Sequence, residues 1–304
     1  MKPAAALDTV EQVSDDFGAR STLSGGFGLT ALWTLYVLTV RQHMHGKRWI
    51  VMGVLFLLPA GLAVVVRATS PEVPSILLEF LFVFMFIPQA LLPLVALLYA
   101  SGMIRDEQEE QTITYLLIRP IPKWTLYGVK LLATLTTTVV LTAFFTALTY
   151  AAIYVGGDTR GDNIPLRCLQ AIGIHCLAVA AYCCLFGLMS LLTSWILIVG
   201  IIYTALFEVV VANVPVAIRL VTVIYYTRVI AYRAMDFLEK TPRGTQNISA
   251  EAWQFDLKAD PKLLEHPQVS TCLIVLLTAS FVCTILAAFL CSQREFHVKT
   301  PEKN

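Results

Sequence analysis

The sequence predicts an all-α integral membrane protein with six transmembrane helices, an N-terminal interfacial elbow helix and a short cytoplasmic helix between spans two and three. Hydrophobic residues make up 57% of the 304-residue chain and charged residues only 14%, with a mean hydropathy of +0.71. Soluble domains carry about 25% charged residues. Several apolar runs approach the roughly 20 residues that a helix needs to cross a hydrocarbon core. The runs are continuous rather than alternating, which excludes a strand barrel.

Six apolar runs are long enough to cross the membrane, and each is bounded by charged or turn-forming residues, as a spanning helix should be. They are the predicted spans one to six: residues 49–66, 76–101, 131–155, 168–193, 195–214 and 269–292. Together with the helix that precedes them, these spans form one predicted membrane domain, residues 29–304.

The N-terminal region divides into a tail and a helix. Residues 1–28 are polar, mixed in charge and rich in Gly and Ser, so they predict a flexible cytoplasmic tail and not a secretory signal peptide. Residues 29–48 place apolar side chains thickly along a helix that ends in basic residues and histidines. This pattern is typical of an interfacial helix that leads into the first span.

Basic residues mark one side of the membrane. Three of them, Arg41, Lys47 and Arg48, precede span one. A second group flanks the loop between spans two and three: Arg105, Arg119, Lys123 and Lys130. Because Lys and Arg concentrate on the cytoplasmic side, and six spans place both termini together, we predict a multi-pass protein of the cell (inner) membrane with both termini in the cytoplasm.

The segment between spans five and six, residues 216–268, is predicted to lie on the outer side. Its first part is apolar but contains Arg219, Arg228 and Arg233, and guanidinium groups in lipid cost several kcal/mol. An interfacial or re-entrant helix is therefore favoured over a seventh span. A polar outer loop, residues 239–268, follows, and its residues do not indicate a role.

The seven cysteines lie within or at the edges of predicted spans and form no Cys-x-x-Cys pair. This placement supports neither a metal site nor a disulfide framework. The cysteines are predicted to be small packing residues.

A polar stretch, RDEQEEQTITYLLIRPIPKW (residues 105–124), separates spans two and three. We predict a short helix whose first turns carry four carboxylates near the positive end of its dipole: Asp106, Glu107, Glu109 and Glu110. An apolar stripe follows at i, i+3 and i+4: Ile113, Leu116 and Leu117. Pro120 and Pro122 end the helix. Helices that rest on lipid usually have a basic polar face, so this acidic one is predicted to dock a soluble partner.

This stretch, after span two of a six-span chain, resembles the permease subunits of ABC-2 type transporters. The residues that carry the resemblance are Glu107, Glu109, Glu110, Thr112, Tyr115, Leu116, Leu117, Pro120, Ile121 and Lys123. The elbow helix and six-span layout extend it over roughly residues 29–295. One departure is Gln111, where many members have Gly. The Gly and Leu-Pro ending of importer permeases are missing, so the resemblance is to the exporter-like group.

The resemblance implies a division of labour. Two permease chains, expected here to be a homodimer, form the translocation pathway, and a separate nucleotide-binding ATPase binds ATP and Mg and docks on a coupling helix. No P-loop sequence occurs in this chain, because Gly46-Lys47 lacks the upstream Gly and the downstream hydroxyl. The chain is therefore expected to be a transport subunit without catalytic residues, cofactor, metal or nucleic-acid partner. The expected ATPase-coupling residues are Glu107, Glu109, Glu110, Thr112, Ile113, Leu116, Leu117 and Pro120.

Ionisable residues inside spans are candidates for the pathway, because such residues normally face the bundle interior or a water-filled cavity. Glu208 in the outer half of span five is the first candidate, with a paired structural carboxylate as the alternative. His175 in span four is the second, and a neutral packing histidine is favoured there. Glu79 is expected at the interface, near the outer start of span two.

Prolines inside the apolar runs predict kinks, and Pro88 and Pro93 in span two are candidate hinges. Static bends would have the same sequence signature.

A different class of function, an ion-gradient-driven secondary transporter or channel without an ATPase, also fits a six-span chain. The sequence has no convincing internal repeat and few membrane charges, which disfavours it. An intramembrane enzyme is disfavoured further, because no nucleophile or metal motif is present. The sequence does not select a substrate, and lipid, drug, peptide or other amphipathic cargo all fit.

Overall fold

The computed structural model describes residues 27–109, 122–155, 163–213, 217–235, 237–241, 244–253 and 267–293. Six of its helices are long and apolar enough to cross a membrane: Lys47–Thr69, Ser75–Met103, Lys123–Tyr154, Ile164–Leu192, Ile196–Asn213 and Val269–Gln293. The predicted all-α membrane fold with six spans is confirmed. Span three begins at Lys123, well before the predicted residue 131, because Pro122 is followed directly by helix and the basic and aromatic residues after it continue that helix.

We call the end of the bundle that carries residues 70–74 and Asn163 the outer end, following the predicted orientation, and the opposite end the inner end. Spans two and four are the most buried of the six, and span six is the least buried. Span four packs against spans two, three and six, so it lies at the centre of the bundle.

The N-terminal helix, Phe27–His45, is separated from span one by Gly46. It packs on spans one and three. The Tyr36 hydroxyl donates to the Thr136 hydroxyl at 3.0 Å, and the His43 ring meets Tyr99 of span two edge-on at 5.2 Å. The helix is therefore attached to the bundle, while its interfacial position stays a prediction. The predicted tail lies outside the described residues, apart from Phe27 and Gly28, which are the first two residues of this helix.

Spans two and five both change their helical hydrogen-bond pattern along their length. Span two has an α-helical turn, Ser75–Leu78, a π-helical segment, Glu79–Leu91, and an α-helix, Leu92–Glu109. Span five is α-helical over Ile196–Tyr203, π-helical over Thr204–Val210 and 3₁₀-helical over Val211–Asn213. The two spans approach closely at Gly200, where an added Cβ would overlap the Leu97 side chain. Each π-helical segment contains one completely buried glutamate.

The outer segment contains a 3₁₀ turn, Ala217–Val221, and a helix, Val223–Ala234, which we call the outer helix. At 12 residues it is about 18 Å long, too short to cross a hydrocarbon core of roughly 30 Å. It packs against spans four and six, and most of its side chains are buried. This rules out a seventh span at that helix. Two short antiparallel strands and a helix follow: Leu238–Thr241, Gly244–Asn247 and Ile248–Ala252.

A line of polar side chains follows the buried face of span three. They recur at every fourth residue: Lys130, Thr134, Thr138, Thr142, Thr146, Tyr150 and Tyr154. The Thr138 hydroxyl donates to the Thr134 carbonyl at 2.9 Å, a local bond that lets threonine sit inside an apolar bundle. Near the outer end of this line, Thr146 contacts His175, and Tyr150 and Tyr154 bind Glu79, as described below.

Candidate functional site

The predicted coupling residues lie at the inner end, and part of them can be placed. The helix of span two continues through Glu109, so Asp106, Glu107 and Glu109 belong to its last turns. The prediction that these three carboxylates begin a new helix is therefore wrong, because the helix does not stop where the apolar run ends. The other predicted coupling residues fall outside the described residues: Glu110, Thr112, Ile113, Leu116, Leu117 and Pro120.

Lys130 links spans two and three just above this region. Its ammonium group donates to the Met103 carbonyl at 2.9 Å, and the side chain is only 2% exposed. The sequence marked Lys130 only as one of the cations that flank the loop. A basic residue directly before a predicted apolar span, at the start of a run of apolar neighbours, could have indicated this buried position.

Glu208 lies at the centre of the outer half, where four donors surround its carboxylate. The Tyr182 hydroxyl donates to Oε2 at 2.8 Å, and the Tyr203 hydroxyl donates to Oε1 at 3.2 Å. The backbone N–H groups of Val223 and Ile224 donate to Oε1 and Oε2 at 3.2 and 3.0 Å. A carboxylate has about four lone-pair positions, so these donors satisfy it fully.

The two backbone donors are the first N–H groups of the outer helix. Such groups have no partner inside their own helix and form the positive end of its dipole. Thr222, which precedes them, uses its hydroxyl to donate to the Arg219 carbonyl at 2.8 Å, so it does not cap the helix. Glu208 supplies the cap instead. This arrangement favours the structural alternative for Glu208, because substrate would have to displace a helix to reach it.

Arg228 makes a second connection between the outer helix and span five. Its Nη1 donates to the Asn213 side-chain oxygen at 2.8 Å, and the residue is 4% exposed. Its Nε and Nη2 have no hydrogen-bond partner within the described part of the chain. Arg219, also buried, stacks its guanidinium 5.1 Å from the Tyr225 ring centre. Protein therefore surrounds two of the three guanidinium groups that made a lipid-exposed span unfavourable.

His175 lies in the middle of span four and is completely buried. Its Nδ1 is 3.0 Å from the Thr146 hydroxyl of span three, and its ring lies 5.8 Å from that of Phe84 in span two. One hydrogen bond to a neighbouring span, with aromatic packing around it, favours the packing histidine that the sequence suggested.

Glu79 is more deeply embedded than the sequence indicated, since none of its surface is exposed. The Tyr150 hydroxyl donates to Oε1 at 2.8 Å, the Tyr154 hydroxyl donates to Oε2, and Arg167 forms an ion pair with Oε1 at 3.0 Å. The Arg167 guanidinium also lies 5.6 Å from the Phe237 ring centre. The interfacial environment expected for Glu79 is wrong: protein groups from spans three and four enclose it. The sequence feature that could have indicated this burial is the pair Tyr150 and Tyr154, spaced i and i+4 at the end of span three.

The candidate hinges both lie in the interior of the bundle. Pro88 is in the π-helical segment, where it lacks the N–H that would bond the Val83 carbonyl five residues earlier. Pro93 is the second residue of the α-helix that follows and is also buried. The irregular segment of span two therefore coincides with its prolines, while a hinge motion stays a prediction.

Within the described ranges, no group of three or more His, Cys, Asp or Glu side chains could hold a metal ion. The seven cysteines are free thiols.

The family model for ABC-2 family transporter proteins matches residues 44–232, which is well over half of the chain. The match runs from the last residues of the N-terminal helix through most of the outer helix, and it includes the acidic stretch after span two. No curated protein matches the chain. The chain belongs to the ABC-2 transporter family, as a multi-pass membrane component of an ABC transporter.

Proposed function

We propose that this chain forms the translocation pathway of an ATP-driven exporter together with a second copy of itself, and that residues 106–119 dock a separate ATPase subunit. The ABC-2 family supports the permease role and implies an ATP-binding partner. In this proposal the partner subunit binds ATP and Mg²⁺. The chain lies in the cell (inner) membrane, with both termini in the cytoplasm.

The observation that carries the docking proposal is the length of the span-two helix. The apolar span ends at Met103, and the helix continues through residues 104–109, a further 9 Å or so. It therefore carries Glu107 and Glu109 beyond the apolar layer on a continuous helix. A rigid extension with acidic residues at its tip is suited to receive a push from a soluble subunit.

Two contacts support the transmission of that push into the bundle. At the inner end Lys130 of span three binds the Met103 carbonyl of span two, and at the outer end Tyr150 of span three binds Glu79 of span two. Spans two and three are thus joined near both ends. A displacement of the docking segment would move them as one body, the type of rigid-body movement by which a pathway changes its open side.

The charges within the spans indicate a class of cargo. Few charges line the spans, and Glu79 and Glu208 are fully engaged with protein groups, so an apolar or amphipathic cargo is proposed. The same engagement disfavours an ion-driven transporter, which needs a carboxylate that is free to bind and release an ion or proton.

Affinity purification of the tagged chain from native membranes tests the docking proposal. A variant with Glu107, Glu109 and Glu110 changed to alanine is compared with the wild type, and Glu72→Ala, an exposed carboxylate at the outer end, is the matched control. A nucleotide-binding ATPase is expected with the wild type and the control and is expected to be lost from the triple variant. If no ATPase co-purifies with the wild type even after crosslinking, the proposal fails and the ion-driven class leads.

A further inference from the structure

An apolar groove of about 600 Å³ runs along the outside of the bundle between spans one and three. Leu57, Gly61 and Val64 of span one form one wall, and Leu148 and Ala152 of span three form the other. The charged residue in its lining is Arg67, in the last turn of span one. The groove therefore combines a long apolar wall with a cation at one end.

The groove has the length of one leaflet. Leu57 and Arg67 are ten residues apart on one helix, which corresponds to about 15 Å, or half of a hydrocarbon core of roughly 30 Å. Arg67 lies at the outer end of span one, close to residues 70–74. With the predicted orientation of the spans, the groove would extend from the middle of the membrane to its outer surface.

Gly61 provides the space at the middle of the groove. A Cβ added at this glycine would have no other atom within 4 Å, so the backbone is uncovered there. Unfilled space beside apolar groups forfeits dispersion contacts, and lipid chains are the solvent of a spanning helix. The groove is thus expected to be filled by hydrocarbon.

Arg67 is held in place by neutral groups. Its Nε donates to the Ile153 carbonyl at 2.9 Å, its Nη1 donates to the Val73 carbonyl at 3.1 Å, and its Nη2 donates to the Ser75 hydroxyl. Three of the five guanidinium N–H groups are used in this way. No carboxylate in the described ranges forms an ion pair with it, in contrast to Arg167, which pairs with Glu79. A fixed guanidinium with two remaining donors and an uncompensated charge matches a phosphate group.

We propose that this groove binds one acyl chain of an anionic phospholipid from the outer leaflet, and that Arg67 binds the phosphate of that lipid. The apolar walls take the chain and the guanidinium takes the headgroup, so each part of the site corresponds to one part of the ligand. The proposal is independent of the cargo and of the ATPase partner.

Native mass spectrometry of the purified protein tests this site, with phosphatidylglycerol and phosphatidylcholine of identical chains as the probes. The wild type is expected to retain phosphatidylglycerol preferentially. Gly61→Leu, whose Cβ would meet no atom within 4 Å, adds a side chain in the groove and should weaken phosphatidylglycerol binding roughly tenfold, whereas Arg67→Gln should remove the preference over phosphatidylcholine. Gly173→Leu is the matched control, because a Cβ added at Gly173 also meets no atom within 4 Å, and Gly173 does not line the groove. Glycerol 3-phosphate, which has no chains, should not compete.

Three results would overturn the proposal. The first is equal retention of phosphatidylglycerol by the wild type and Gly61→Leu. The second is a loss of dimer in Gly61→Leu without a change in bound lipid, which would assign the groove to a second copy of the chain. The third is full competition by glycerol 3-phosphate, which would assign Arg67 to a free phosphate.

Discussion

Glu79 and Glu208 are both completely buried, and both lie in π-helical segments of spanning helices, yet different groups stabilise them. Glu79 is neutralised by an opposite charge, Arg167, and by the tyrosine hydroxyls of span three. Glu208 receives two tyrosine hydroxyls and two backbone N–H groups, and no ion pair to it is found in the described part of the chain.

The difference assigns each carboxylate a distinct mechanical role. Glu79 connects spans two, three and four through side chains. Glu208 holds the first turn of the outer helix, so its bonds last only while that helix keeps its position. Span four takes part in both networks through Arg167 and Tyr182, with His175 between them. The Glu79 network is therefore expected to be permanent, and the Glu208 network is expected to respond to movement of the outer segment.

The largest effect is expected for Glu79→Gln. The change removes the counter-charge of Arg167 in a buried site, and breaking such a pair costs about 3 kcal/mol or more of stability. Unfolding of the purified protein in a detergent series measures the loss, and Glu72→Gln is the exposed control. The double variant with Arg167→Gln should show an interaction energy of about 1–3 kcal/mol. Strictly additive single effects would contradict the ion pair.

A smaller loss, about 2 kcal/mol, is expected for Glu208→Gln, because the amide keeps one acceptor oxygen but turns a donor toward backbone N–H groups. The effect should be local. Hydrogen exchange of residues 223–234 should become faster, while the region around Glu79 keeps its protection. If Glu208→Gln abolishes transport and leaves this exchange unchanged, Glu208 belongs to the pathway and the cap interpretation is wrong.

Two tyrosine changes compare the networks directly, each by removing one hydroxyl donor. Tyr150→Phe and Tyr182→Phe should each cost about 1 kcal/mol. The loss should be greater for Tyr182→Phe, since Glu79 keeps its ion pair with Arg167, whereas no ion pair to Glu208 is found among the described residues. The same unfolding assay ranks the two variants, and the reverse order would remove the distinction drawn between the carboxylates.

The smallest effect concerns the link between the two networks. Thr146→Val removes the hydroxyl that contacts His175 and should cost about 0.6 kcal/mol, a typical value for a hydrogen bond between spans. Thr142→Val is the matched control, because the buried Thr142 hydroxyl has no hydrogen-bond partner among the described residues. That change should be neutral or stabilising. Equal losses in both variants would indicate that only packing matters at these positions.

The sequence predicted the six spans because membrane insertion is a local property of apolar composition. Hydropathy does not reveal where a helix stops, so the continuation of span two through Glu109 was missed. The short outer helix was anticipated from its arginines, which exclude lipid exposure but not burial in protein.

The environments of the buried carboxylates depended on contacts between distant residues. Arg167 is 88 positions from Glu79, and the donors at Val223 and Ile224 become available only when a helix begins there. Composition and periodicity reveal neither the contact between Arg167 and Glu79 nor the start of a helix at Val223. This is why Glu208 could be named as a buried group while its role as a helix cap could not be foreseen.

Photo-crosslinking from two positions shows whether the end of the span-two helix contacts an ATPase. A photoreactive amino acid is placed at Glu109, and separately at Glu72 in the loop at the opposite end of the bundle. An adduct with a nucleotide-binding ATPase is expected from position 109, and none is expected from position 72. No ATPase adduct from position 109, or the same adduct from both positions, would contradict it.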